Sequence, residues 1–311
     1  MKYTAYHAYQ FSALTLGTAQ LGLPYGVSNQ TGIPAPEEAR EMLAYAGEVG
    51  INTFDTARTY GYSENVLGSY SEKHDSGLSH IVSKFKISAE NMMDQERAWR
   101  EVLASVKTSL ETLKISRLPV CLLHKGAEPM HEVMQILPEI LRRLKSEGLI
   151  DIGGVSAYFP EDIPYFLEEP DVEATQVPLN IFDQRLIRSG NLDQLHAQGK
   201  LVFVRSVFLQ GLFFMQPEHL TGNLQNAKKH LKKLIDLAGQ AEMSVAQLAF
   251  SFVRDLPAVD SIVVGAVNRQ QISENVDLIN GPAIPREISA GIAEAFLQVE
   301  EEVITPGLWK L

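Results

Sequence analysis

Four titratable side chains of different types fall in close order in the first half of the chain: Asp55, Tyr60, Lys84 and His124. A carboxylate, a phenol, an ammonium and an imidazole brought together can hold, pass and accept a proton, which is the work of general acid–base catalysis. Each alone has an ordinary explanation. An Asp after a strand commonly caps a turn, a His is commonly a hydrogen-bonded core residue, a Lys snorkels to solvent and a Tyr packs. Placement gives them weight. Asp55 lies at the end of the β-rich run Asn52–Thr56, Tyr60 follows in the next loop, Lys84 closes His80–Lys84, and His124 directly follows Pro119–Leu123.

The elements that must position these groups form a rhythm. Short β-rich runs recur at Ala13–Leu16, Asn52–Thr56, His80–Lys84, Pro119–Leu123, Asp151–Val155, Ala174–Val177, Leu201–Arg205 and Ser261–Val264. Stretches with helical periodicity lie between them, including Pro36–Val49, Asp94–Leu113, Met130–Glu147, Leu224–Ala241 and Arg269–Ile279. Eight such alternations predict an α/β fold with eight parallel strands and helical returns. The count favours a closed (β/α)8 TIM barrel over an open doubly wound sheet. The glycine spacing after the first run, Leu16-Gly17-Thr18-Ala19-Gln20-Leu21-Gly22, also lacks the Gly-x-Gly-x-x-Gly pattern of an open dinucleotide-binding sheet. In a barrel, polar residues at strand C-terminal ends converge on one face, where Asp55, Lys84 and His124 would meet.

Bulk properties set the class. The chain has 311 residues, 45% hydrophobic and 21% charged, an ordinary globular mixture read as one barrel domain over residues 1–311. A formal charge of -11 argues against a nucleic-acid partner, and Lys228, Lys229, Lys232 and Lys233 read as a solvated helix face. No apolar run approaches membrane-spanning length, and Met1–Phe11 lacks the pattern of a signal peptide. The single cysteine, Cys121, sits in an apolar run and reads as an inert thiol in a reducing, cytoplasmic setting. His7, His74, His80, His131, His196, His219 and His230 show no metal-ligand spacing, so no metal is expected. Phe213–Asn226 interrupts the rhythm and reads as a long loop over the catalytic face, and Glu287–Glu301 reads as one extra helix. Trp99 reads as core, whereas Trp309 either anchors the tail or reaches the pocket rim.

The segment from Gly50 to Gly68, with Asp55-Thr-Ala-Arg-Thr-Tyr60-Gly at its centre, resembles the signature of the aldo-keto reductase superfamily. Ile81-Val-Ser-Lys-Phe85 and Leu122-Leu-His-Lys125 resemble its lysine and histidine segments. The resemblance implies a (β/α)8 barrel with Asp55, Tyr60, Lys84 and His124 as the catalytic tetrad. It implies a hydride supplied by NADP or NAD, Tyr60 as proton donor, Lys84 lowering the phenol's pKa, Asp55 pairing with Lys84, and His124 orienting a carbonyl. The substrate would be a small aldehyde, ketone or alcohol, such as a sugar derivative. The same tetrad serves oxidation of an alcohol by NAD, and barrels of this family also act as nicotinamide-binding regulatory subunits.

Cofactor segments are implied in the same way. Gly17, Thr18 and Ala19 match the turn at the nicotinamide end. Ser156 and Gln176 match residues that hold the carboxamide, with Ala157 where the family has Asn. Arg205, Ser206, Gln210 and Gly211 match the segment wrapping the pyrophosphate. Arg205 stands where many members are aromatic, and it would stack on the nicotinamide, reach a substrate anion or form a rim salt bridge. At the adenosine end, Glu274 and Asn275 match adenine contacts. Gly265, Ala266 and Gln271 replace a lysine, a serine and an arginine that grip a 2′-phosphate, leaving NADP against NAD open, with Arg269 the nearest cation.

Overall fold

The computed structural model describes residues 1–27, 29, 31–73 and 80–310, so His74 lies outside the described residues. An antiparallel hairpin, β1 (Tyr3–Tyr6) and β2 (Tyr9–Ser12), precedes eight parallel strands. These are β3 (Leu14–Gly17), β4 (Thr53–Asp55), β5 (His80–Phe85), β6 (Leu118–His124), β7 (Ile150–Ser156), β8 (Ala174–Pro178), β9 (Leu201–Arg205) and β10 (Ser261–Gly265). They close in chain order, β10 pairing with β3, into the eight-stranded TIM barrel expected from the alternation. The strand runs carry buried residues on both faces, as parallel strands under helices must.

The helices are α1 (Pro36–Glu48), α2 (Ser63–Lys73), α3 (Gln95–Leu113), α4 (Met130–Val133), α5 (Leu137–Ser146) and α6 (Arg185–Arg188). They continue as α7 (Asn191–Ala197), α8 (Lys228–Gln240), α9 (Val245–Arg254), α10 (Arg269–Ile279), α11 (Arg286–Ala295) and α12 (Glu301–Ile304). Local chemistry sets their ends. Asp94 caps α3 by accepting from the N–H groups of Glu96 and Arg97, and Asn268 caps α10 by accepting from Gln271. The expected helix Met130–Glu147 is two helices, because Pro138 fits only the first turn of α5. Likewise the stretch expected as Leu224–Ala241 begins as a 3-10 turn at Gly222–Ala227, and Glu287–Glu301 divides into α11 and α12.

The barrel interior is packed rather than hollow. Val82, Val120, Leu122, Ile152, Ala174, Leu201 and Phe203 form one buried cluster, and Phe11 from the hairpin enters it, fully buried, with its ring edge-on to Phe203. The hairpin thus floors the barrel at the end opposite the functional loops. The larger cluster lies between barrel and helices and includes Trp99, as expected. Cys121 is buried within it, and that burial pushes its thiol pKa up, so it is inert. The lysines of α8 are on an exposed face, with Lys229 paired to Glu300. Trp309 fastens the tail by donating to the Val303 carbonyl, while Asn223 receives the Lys310 N–H and donates to Leu308. Among the described residues, no helix is long and apolar enough to cross a membrane, and no cluster of potential metal ligands is present.

Candidate active site

The barrel brings Asp55, Lys84 and Tyr60 together at the C-terminal ends of β4 and β5. Lys84 Nζ donates to Asp55 Oδ2 at 2.5 Å and to the Thr56 carbonyl at 3.0 Å, and it lies 5.0 Å from the centre of the Tyr60 ring. Both charged groups are buried. The His124 ring stands edge-on to Tyr60, with centroids 6.1 Å apart.

Tyr60 sits in a loop whose backbone is held from both sides. A Cβ at Gly22 would fall 1.9 Å from the Tyr60 carbonyl oxygen, so the turn after β3 can lie against this loop only as glycine. Gly61 has φ +56 and faces the Gly22 carbonyl in return. Beneath them, buried Glu64 accepts from Arg58 at 2.7 Å and from Ser83 at 2.7 Å, tying the start of α2 to the loop and to β5. Glu64 and Gly22 were not singled out in the sequence. Their signal was present in the acid one residue into α2 and in the glycine after Gln20-Leu21, but neither type reads as functional alone.

Electrostatics at this end differ from one expectation. With Lys84 paired to Asp55, the net effect at Tyr60 is not a lowered pKa. Burial, then the Asp55 charge, raise the Tyr60 pKa well above the usual phenol value, and Arg205 opposes them. Burial also lowers the Lys84 pKa against the resistance of Asp55. His124 is pushed down to about 3, by burial first and then by Lys84, Lys86 and Arg205. Its imidazole is therefore neutral near pH 7, with Nδ1 3.3 Å from Thr59 Oγ1 and Nε2 3.4 Å from Tyr158 Oη.

A cavity of about 780 Å³ opens beside Tyr60 and runs to the start of α10, within the ~300–1,000 Å³ typical of ligand pockets. Asp55, Tyr60 and Gln176 line one end; Gly265, Gln271, Glu274 and Asn275 line the other. Between them lie Gly17, Ala19, Arg205, Ser206, Gln210 and Gly211. The segment after β9 is unusual in its backbone. Ser206, Leu209, Gln210 and Gly211 all have positive φ, and such costly conformations cluster where the chain must cradle a ligand.

Other expected contacts are not at the cavity wall. Thr18 is fully buried; its hydroxyl donates to the Asp55 carbonyl at 2.7 Å and meets Ser63 Oγ at 2.6 Å. Ser156 and Ala266 are buried and do not line the cavity, nor do Lys84 and His124. Gln176 reaches it, yet its amide Nε2 donates to Asp55 Oδ2 at 2.7 Å. Gln20 packs on Gly265, where a Cβ would meet its amide at 2.2 Å, and Tyr25 joins the lining; neither had been foreseen. The long stretch after β9 folds as three 3-10 turns, and Phe214 from it lines the cavity.

Arg205 is the only Lys or Arg among the described residues lining this space. The cation nearest the other end, Arg269, is stacked 4.2 Å from the Tyr45 ring.

Comparison with known proteins agrees with this arrangement. The family model described as "Aldo/keto reductase family" matches residues 13–293. L-glyceraldehyde 3-phosphate reductase of Escherichia coli (strain K12) is 25% identical, the match covering 86% of this chain and 86% of that protein. An aldo-keto reductase structure from Bacillus halodurans, AKR11C1 in its apo form, superposes with TM-score 0.74 at 22% identity, covering 98% of this chain and 99% of that one. The glycerol dehydrogenase AKR11B4 of Gluconobacter oxydans gives TM-score 0.71 at 21% identity, covering 94% and 93%. With the matched model spanning nearly the whole barrel and the barrel itself closed as in these structures, the chain is an oxidoreductase of the aldo/keto reductase family.

Proposed function

We propose that this enzyme reduces the carbonyl of a small aldehyde or ketone, with Tyr60 donating the proton and NAD(H) preferred over NADP(H) as the bound cofactor. The observation that carries the reading is one continuous cavity, with the buried Asp55–Lys84 pair beneath Tyr60 at one end and, among the described residues, no cation lining the other.

Residues present along this cavity fit a nicotinamide dinucleotide. Gly17 and Ala19 leave a smooth wall near Tyr60, the left-handed segment Ser206–Gly211 supplies a curved backbone midway, and at the far end Asn275 offers an amide donor and Glu274 an acceptor. When bound, the cofactor would supply the hydride, which no side chain can.

The remaining chemistry belongs to the chain. Negative charge develops on the carbonyl oxygen during reduction and must be met by a proton. The raised pKa of Tyr60 keeps its phenol protonated near neutrality, as a donor must be. Lys84, anchored by Asp55 and the Thr56 carbonyl, lies against the Tyr60 ring and can compensate the phenolate left after donation. Neutral His124 can direct one ring N–H at the substrate oxygen after exchanging a long contact with Thr59 or Tyr158. A phenol that holds its proton suits reduction better than oxidation, where a phenolate would have to accept one.

Cofactor preference follows from charge. Glu274 and Asp277 line the adenosine end, and a 2′-phosphate there would meet carboxylates without a charge-assisted donor. Titrating the protein with NADH and NADPH, followed by nicotinamide fluorescence, tests this directly. NADH should bind at least about tenfold more tightly, the value of roughly one charge-assisted hydrogen bond. Binding of neither sinks the oxidoreductase mechanism, and equal binding sinks the preference. Tyr60→Phe should keep NADH affinity within about threefold while turnover falls on the order of a thousandfold; unchanged turnover overturns the proton-donor role.

A further inference from the structure

Arg205 is a cation without an anion. It ends β9, lines the cavity and has no carboxylate within ion-pair distance among the described residues. A guanidinium has five N–H donors in a fixed fork. Among the described residues its Nη atoms reach only Ser206 Oγ and the Ala157 carbonyl, both at 3.4 Å, the long limit of a hydrogen bond. One face is covered by Tyr158, whose ring centre is 4.5 Å from Cζ. Tyr158 in turn meets His124 Nε2, and His124 faces Tyr60. The unused donors therefore sit at the reaction end, in one contact chain with the groups that meet the substrate.

The surrounding charges make the case stronger. Asp55 and Lys84 cancel as a pair, and His124 and Tyr60 are neutral near pH 7. Arg205, with Lys86 also acting on His124, thus leaves this end net positive, in a chain whose formal total is -11. A stacked, under-bonded guanidinium beside a reacting carbonyl has the chemistry of an anion receptor, for which Arg forms paired, charge-assisted hydrogen bonds.

We infer that Arg205, braced by Tyr158, selects carbonyl substrates that carry a carboxylate or a phosphate. This rests on the carbonyl reductase reading above and adds the substrate's charge to it. The same guanidinium could instead grip the cofactor's pyrophosphate, and the two uses separate experimentally.

The test uses the full chain with two matched pairs of substrates: succinic semialdehyde against butyraldehyde, and glyceraldehyde 3-phosphate against glyceraldehyde. Wild type should favour an anionic member by at least about tenfold in kcat/KM, and the pair showing the larger ratio distinguishes carboxylate from phosphate. In Arg205→Met that ratio should fall by about 10–100-fold, the value of a charge-assisted hydrogen bond, mostly through KM. Arg205→Lys, which keeps charge but not the fork, should lie between. NADH affinity, read by fluorescence, should change less than about threefold in both variants. In parallel, succinate should raise the Tm of wild-type protein but not of Arg205→Met, a readout independent of turnover. Equal kcat/KM for charged and uncharged partners in wild type overturns the inference, as does an unaltered ratio in Arg205→Met. A loss of NADH affinity that matches the loss in kcat/KM overturns it in favour of the pyrophosphate. Failure of wild type to bind either nicotinamide counts against the reductase reading instead, and the succinate shift then still decides the anion site.

Discussion

The two ends of the cavity are built in opposite ways. At the Tyr60 end, charges are buried, paired and locked by neighbours: Lys84 on Asp55, Gln176 on the same carboxylate, Glu64 on Arg58 and Ser83. At the α10 end, Gln270, Gln271 and Glu274 are exposed and bond locally, Gln271 to the Val267 N–H and Gln270 to Glu274. Chemistry requires fixed geometry, because proton transfer fails when donor and acceptor drift. Recognition of the far end of a ligand tolerates looser groups and can change through single side chains. The first end should therefore break under substitution, and the second should retune.

Lys84→Met should have the largest effect on the locked end. It leaves Asp55 buried without its counter-charge, and breaking such a pair costs about 3–5 kcal/mol. Denaturant unfolding should show that loss, and Asp55→Asn added to Lys84→Met should recover part of it. Recovery of none would mean that the pair is not what holds this end together.

Gly22→Ala comes next. Its Cβ would collide with the Tyr60 carbonyl, so the loop must shift. A displacement near 1 Å costs about a hundredfold in a positioned reaction, and kcat should fall accordingly while NADH affinity holds. A kcat equal to wild type would show that the Tyr60 loop is not positioned by this contact.

Gln271→Arg tests the tunable end. A guanidinium there should bring NADPH affinity up by about tenfold relative to NADH, with stability changed by less than about 0.5 kcal/mol. Fluorescence titration of both nicotinamides measures it, and an unchanged ratio would place the 2′-phosphate elsewhere.

The smallest effect concerns pH. His124 titrates near 6.5 in an unfolded chain but is pushed down to about 3 in the fold. Between those values the unfolded state binds the extra proton, so the folded state loses stability as pH falls below about 6.5. The slope from this residue is at most about 1.4 kcal/mol per pH unit. Unfolding free energies of wild type and His124→Gln, compared from pH 7 to pH 4.5, should diverge with that sign. Parallel curves would mean that His124 accepts its proton freely in the fold.

How much of this could be read in advance varies by element. The strands and α10 were legible because alternation and period are local, and Asn268 and Pro36 mark helix starts by their own side-chain chemistry. The hairpin β1–β2 was not, since its signal is a single buried ring, Phe11, that matters only when the barrel closes around it. Helix α2 was hidden as well. Its serines and Gly68 weaken the apolar stripe, and Gly68 earns its place only where the Thr112 carbonyl would meet a Cβ at 2.0 Å. Placing Asp55, Lys84, Tyr60 and His124 on one face required only strand order, and the structure brings them together there. Their mutual electrostatics required distances.

The amino-acid sequence by itself determined the barrel, the family and the set of side chains gathered at its rim, because periodic burial and a dense local motif are written in neighbouring residues. Tertiary structure alone decided which of those side chains are free. It tied Gln176 to Asp55 across 121 positions, buried Thr18, Ser156 and Ala266 off the cavity wall, stacked Arg269 on Tyr45 and left Arg205 beside Tyr158 with no carboxylate partner among the described residues. The physical reason is that a hydrogen bond or an ion pair depends on which distant group arrives at about 3 Å, and closure of the barrel sets those arrivals.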